Sequence, residues 1–458
     1  MRWQAIRAIR EAPLSSLSLP ANLLPPDHPD RVSLAAEVHA RTPEPLSAPS
    51  RATYLAVHID AGSLDAELAH IAVLCASQGL QAPPAGATHW AGTLGALRLK
   101  WERHGEFSSY TFFTAGLSPK PFAEPVAALL PPGWLAAVPG QTVFAAHAEL
   151  AAAEVQADGA AAVPSAGQLA AHFGQNLVVG SRIGDGAGLA FTDFVIHDDG
   201  FARFLLQDRD MSARSAGRML QRLFEIEAYR MMALLALPLA RELWPRLIAI
   251  ERTLVGLIER IAGNSSEDEE SLLQQLTALA AEVEGALAAS QFRFGASRAY
   301  HALVITRIAE LREQRIRGLQ TFDEFMTRRL GPAMATCATV SQRLGELSER
   351  VAQASSLLST RVDIVRERQN QELLAATARR AAMQLKLQQT VEGLSLAAIV
   401  YYLTGLVGYG AKALKDLGVP ISPDLVSGAA VPLLALGGLL LLRRARRHIG
   451  KDSDSGAA

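Results

Sequence analysis

Two uncharged apolar runs near the C-terminal end, Leu394–Ala411 and Leu425–Leu442, restrict the fold of this chain more than any other feature. As helices rising 1.5 Å per residue, each would be about 27 Å long, one hydrocarbon thickness of a bilayer. The segment between them, KALKDLGVPISPDL, carries two lysines and two aspartates that cancel. Arg443, Arg444, Arg446, Arg447 and Lys451 follow the second run, and Arg379, Arg380 and Lys386 precede the first. Positive residues gather on the cytoplasmic side of membrane spans. The pattern predicts a two-span hairpin over 394–442 with the lipid bilayer as partner, both chain termini cytoplasmic and a short loop outside. A buried helical hairpin of a soluble core is the alternative, and it has no use for arginines abutting LLALGGLLLL.

The first run ends in YYLTGLVGYG, which holds Thr404, Gly405, Gly408, Tyr409 and Gly410. Gly405 and Gly408 fall one helical turn apart, on the face that carries Tyr401 and Tyr402. Glycines at this spacing let another helix approach closely, and they also permit a helix end to unwind and turn carbonyls toward a pore or ion. Both readings stand at this point.

Gly331-Pro332 interrupts the preceding pattern, and no proline follows until Pro420, which permits one very long helix. Val340, Leu344, Leu347, Val351, Ala354 and Leu358 step by four and three along it, and Val362 and Val365 continue the seam after a slip. A helix that long needs partners from its own chain or from other copies, so a homo-oligomer is expected. Upstream, a helix from Met211 to about Ile261 should kink or split at Pro238 and Pro245. GNSSEDEE then reads as a cap, a turn and an acidic helix start. Ser271–Phe294 and Ser297–Leu330 supply two more helices, the charge run ELREQRIR forming a solvated face.

The N-terminal half alternates differently. ATYLAVHI reads as a strand, Ser63–Gln78 as a helix, Thr93–Glu102 and Glu106–Thr114 as a hairpin turning at His104-Gly105, PFAEPVAALL as a short helix and TVFAAHAEL as a strand. The order β-α-β-β-α-β is that of a ferredoxin-like split unit. After an alanine- and glycine-rich linker, NLVVGSRI, AFTDFVIH and FARFLLQD form a three-strand meander, for seven strands in all.

Catalytic signals are weak here. GDGAG (184–188) precedes a strand rather than opening a helix, so it lacks phosphate-binding geometry and reads as a turn. His28, His39, His58, His104, His147 and His197 stand singly, although His58 and Asp60 form an HxD pair. No zinc-ligand spacing and no GxSxG elbow occurs, which argues against an enzyme. The aspartates of IHDDGF and QDRDM read first as turn and cap residues, with Asp210 and Ser212 before a helix. With 44 basic and 45 acidic residues there is no global pull toward nucleic acid. Cys75 and Cys337 are far apart and read as reduced packing residues, and MRWQAIRAIREAPLSSLSLP lacks the apolar core of a secretory signal.

Several segments, among them HPDRVSLAAEVHARTPEPL, LKWERHGEFSSYTFF, FTDFVIHDDGFARFLLQDRDMS and TVEGLSLAAIVYYLTGLVGYGAKAL, together resemble a bacterial family of uncharacterised membrane-anchored proteins, catalogued as a domain of unknown function. The resemblance covers about His28 to Leu414 and implies a bacterial inner-membrane location. Thr404–Gly410 is also similar to the end of the first membrane helix of CorA-type magnesium channels. Carried over, that likeness would make Gly408 the filter glycine, Tyr409 the Met position and Gly410 the Asn position. It implies a pentamer and a divalent cation such as magnesium, yet at Gly410 the side chain that would contact the hydrated ion is missing.

The expected organisation is a flexible N-terminus (1–26), a mixed α+β cytoplasmic domain (27–210), a helical bundle (211–330), a long stalk helix (331–393), the transmembrane hairpin (394–442) and a basic tail (443–458). A CorA-like cation channel and a non-conducting scaffold or sensor both fit this plan.

Overall fold

The computed structural model describes residues 25–32, 34–35, 42–59, 62–154, 161–263, 269–417 and 420–454, without the side chains of 442 and 445–454. The N-terminus through 24, His39, Asp60 and residues 264–268 of GNSSEDEE lie outside the described residues. Two compact units emerge, one of the described residues through 263 with Gln275–Ala352, the other of 269–274 with the described residues from Gln353 onward.

The first unit is built on a mixed nine-stranded sheet of order β2-β3-β4-β1-β5-β8-β7-β6-β9. Its strands are β1 (Ser50–His58), β2 (His89–Leu94), β3 (Leu97–Arg103), β4 (Phe107–Ala115), β5 (Gln141–Ala152), β6 (Val179–Ile183), β7 (Gly188–Thr192), β8 (Ala202–Asp208) and β9 (Gln314–Arg315). β5 and β8 pair in parallel and every other ladder is antiparallel. Because side chains alternate along a strand, β1 serves both faces. Leu55 and Val57 meet Ile71, Leu74 and Cys75 of α1 (Leu64–Ser77) together with Trp101, Tyr110, Phe112 and Trp134. Tyr54 points the other way and stacks on Phe224 of α3 (Ala213–Leu234) at 4.7 Å. Leu169 and Phe173 of α2 (Ala166–Phe173) close a second cluster with Leu189, Phe191 and Leu205.

The rest of this unit is helical: α4 (Ala236–Ala262), α5 (Glu269–Leu311) from residue 275 onward, α6 (Phe322–Arg329) and the start of α7 (Gly331–Asp416). Three seams of buried residues meet: Leu243, Leu247, Ile250, Leu254 and Leu257 of α4; Leu276, Leu279, Val283 and Ala286 of α5; and Val340, Leu344, Leu347 and Val351 of α7. Steps of three and four keep each seam on one helix face. Arg246–Glu282 at 3.5 Å and Arg343–Glu251 at 3.7 Å flank the seams from outside.

Several expectations are corrected here. The strand expected over 93–102 is two strands, because Gly95 at φ 64° turns the chain between Leu94 and Leu97. PFAEPVAALL gives a single 3-10 turn, Val126–Leu129. AFTDFVIH leaves the sheet after Thr192, where Thr192 Oγ1 accepts from Phe194 N and Asp193 Oδ1 from Val195 N. The helix from Met211 splits at Leu235, and Pro245 lies inside α4 without ending it. Where two helices were expected, α5 runs on through Gly295, with Phe294 and Ser297 buried on either side. ELREQRIR is not a helix face: α5 stops at Leu311, Arg312 takes φ 48°, and Gln314–Arg315 add β9 to β6. These changes bring the sheet to nine strands rather than seven.

In the second unit, Arg361 of α7 pairs with Glu269 of α5 at 2.9 Å. Further along α7 the side chains are exposed up to a helical hairpin formed with α8 (Pro423–Asp454).

Candidate functional site

The residues singled out in YYLTGLVGYG sit on an uninterrupted stretch of α7. Thr404 turns its hydroxyl back to the Val400 carbonyl at 2.7 Å, so it serves its own helix. Gly408 faces α8: a Cβ built there would lie 2.9 Å from Ser427 Oγ. Deeper along the pair, a Cβ on Gly438 would lie 2.4 Å from Leu396 Cδ1. Two glycines, one from each helix, therefore set the close approach. Gly405 and Gly410 have nothing within 4 Å of that position, and Tyr409 is 79 % exposed. A cleft of about 880 Å³ opens along this face between Ala397 and Val431. Arg443 and Arg444 are exposed beyond it, while the side chains of Arg446 and Arg447 lie outside the described residues.

Two buried polar networks lie in the sheet domain. Lys100 pairs with Glu102 at 3.0 Å, both side chains buried, and donates to Gln221, which donates to Glu225. The enclosed space beside them is about 20 Å³, room for one water. Glu67 of α1 is fully buried and accepts from Trp101 Nε1, Ser63 and Tyr110 while pairing with Arg103. Burial and the Glu67 carboxylate push the Tyr110 hydroxyl far up. Sequence reading missed Glu67, since an acid in LDAELAH looks like a solvated first-turn residue.

Among the described residues the histidines do not converge. His147 bonds Thr53 Oγ1 at 2.9 Å and stacks on Phe201, and burial pushes it down to about 4. His197 pairs with Asp193 at 2.9 Å, His104 stacks on Phe107, and His58 ends β1. Asp199 Oδ1 accepts from Phe201 N and Asp208 Oδ1 from Met211 N, both contacts of the turns that lead into β8 and α3. Ser212 caps α3 through Ser215 N as expected. GDGAG is a turn with Gly184, Asp185 and Gly186 at positive φ. Cys75 and Cys337 are buried free thiols pushed up by desolvation. Among the described residues no group of three His, Cys, Asp or Glu side chains is placed to hold a metal.

A second cleft, of about 350 Å³, lies between the 193–196 turn and α6. Phe194 sits there at φ 56°, a conformation aromatic side chains rarely adopt, and stacks on Phe325 at 4.2 Å. The sequence signal for it is the Thr-Asp pair whose side chains cap the turn.

The fold and the hairpin define a class: a mixed α+β sheet-and-bundle protein with two helical segments long and apolar enough to cross a membrane. The chain belongs to the family described as Protein of unknown function (DUF3422), which matches residues 26–449. Comparison with the curated proteins and with the solved structures returned no match.

Proposed function

We propose that this protein is a membrane-anchored scaffold or sensor, in which the α7–α8 hairpin lies in the bilayer and tethers the sheet domain. The observation that carries the reading is the outward apolar surface of the hairpin. Leu394, Tyr401, Leu406, Leu425, Leu433 and Leu441 are 67–77 % exposed. Soluble monomers seldom expose a contiguous apolar patch above a few hundred Å² in water, whereas lipid tails solvate it freely. The arginines after the second run support cytoplasmic termini at the inner membrane of a bacterium. Gly405 and Gly410, open on their helix, leave room for a neighbouring copy, which supports a homo-oligomer. On the same reading β1 to β5 form a ferredoxin-like split unit, supported by the order β3-β4-β1-β5, with 3-10 turns in place of its second helix. No catalytic role is assigned to the sheet domain.

The competing reading is a CorA-like pentameric channel, with carbonyls at Gly408–Gly410 facing a divalent cation such as magnesium. Unbroken helix through Asp416 weighs against it, because helical carbonyls point along the axis to the next turn. Two assays test the proposal. Protease added outside spheroplasts should spare the N-terminal half, and magnesium flux in proteoliposomes should match empty vesicles for both the natural chain and Gly410→Asn. Digestion from outside would overturn the topology. Flux above background that Gly408→Leu abolishes would overturn the non-conducting role.

A further inference from the structure

The two ends of the hairpin differ in charge, and helix packing fixes which residues share an end. Gly408 meets Ser427 and Gly438 meets Leu396, so α7 and α8 run antiparallel with nearly equal advance along both. Continuing that register past Leu396, Arg443 and Arg444 come level with Thr390 and Val391, and Lys386 lies about one turn further out on α7. At the opposite end Lys412, Lys415, Asp416 and Asp424 come together and cancel. Lys386, Arg443 and Arg444 are exposed, and none of the three makes an ion pair among the described residues. Arg446 and Arg447 add to this end in sequence, Lys451 is followed by Asp452 and Asp454, and Glu392 is the acidic residue of α7 near this level.

We infer that this basic end binds anionic phospholipid, with the phosphate of a phosphatidylglycerol-type headgroup on Arg443 and Arg444 and its acyl chain along the adjoining apolar face. Guanidinium forks match phosphate oxygens bidentately. Apolar surface adjoins the cations: Leu440 and Leu441, 56 % and 71 % exposed, directly precede the arginines. A free phosphate would use the cations and leave that face bare, whereas a lipid satisfies both. The inference rests on the anchored reading and adds a ligand class to it.

The test titrates the full chain, in neutral detergent, with phosphatidylglycerol and with phosphatidylcholine, reading bound lipid by native mass spectrometry. Each basic residue near an anionic surface contributes about a fivefold preference. The natural chain should prefer phosphatidylglycerol by about tenfold or more, less at high salt. Lys386→Gln with Arg443→Gln and Arg444→Gln should lower the preference at least fivefold, Arg446 and Arg447 retaining the remainder, and Arg443→Lys with Arg444→Lys should keep most of it. Equal affinity of the natural chain for both lipids, or a preference unchanged in the triple variant, overturns the inference. So does displacement of the lipid by millimolar inorganic phosphate, which would assign the cluster to a soluble anion. A chain that inserts into vesicles of either lipid without preference sinks this inference alone; one that enters neither sinks the anchored reading with it.

Discussion

Gly408 on α7 faces Ser427 on α8 so closely that a single added methyl group would come within 2.9 Å of the serine oxygen. Ala at 408 is tolerated, because the Ser427 hydroxyl can rotate away about χ1. Gly408→Leu has no such escape and should cost about 1–3 kcal/mol through overpacking. Gly410→Leu, opposite open space within the chain, should be near neutral for α7–α8 packing in detergent-dispersed monomer. Thermal unfolding of the hairpin in detergent checks the ranking, and equal loss from both leucines would contradict the packing described.

His147 makes stability depend on pH. Burial holds its folded form neutral down to about 4, while the unfolded imidazole protonates near 6.5. Asp199 opposes the shift and Arg203 reinforces it. The unfolded chain therefore binds more protons between these values, so stability is intact above pH 6.5 and falls as the pH drops toward 4, by up to about 3 kcal/mol. Urea denaturation at pH 7 and pH 5 should show a steeper acid loss for the natural chain than for His147→Asn.

Glu67 joins α1 to β3 and β4. Glu67→Ala removes the carboxylate that pairs with Arg103 and the acceptor of the Trp101 indole N–H, at a cost of about 3–5 kcal/mol. Glu67→Gln keeps an acceptor for Trp101 and should cost less, about 1–3 kcal/mol. Denaturation midpoints of the two variants check this order.

The parts of the fold readable from sequence are those where one physical signal acts alone. Absence of charge marks the hairpin, and the three-four spacing from Val340 to Val351 marks a seam that is buried in the structure. Tertiary context hid the rest. Gly295 carries a helix-breaking signal, yet burial of Phe294 and Ser297 holds α5 together. In the reverse case Arg312 ends α5 without a Gly or Pro, where the Glu313 carboxylate accepts from Ser181 Oγ and from the N–H groups of Phe322 and Asp323. HWAGTL carries a single β-branched residue, Thr93, and a glycine at 92, and pairing with β3 makes it a strand. Of the hairpin glycines, spacing pointed equally to Gly405 and Gly408, and only the position of α8 separates them.

Leu433 lies in the second apolar run and is 69 % exposed. If lipid surrounds it, Leu433→Arg should raise the cost of insertion by about 3–4 kcal/mol. Leu357→Arg, at a site upstream of the runs that is 70 % exposed, should be tolerated. The membrane-bound fraction of each variant after expression separates the two, and equal fractions would count against a lipid-facing Leu433.

The measurement that bears most directly on the account is the partition of the full chain after cell lysis and an alkaline carbonate wash. The account predicts that the protein sediments with the membranes and is released by detergent alone. Recovery of the folded protein in the carbonate supernatant would contradict it.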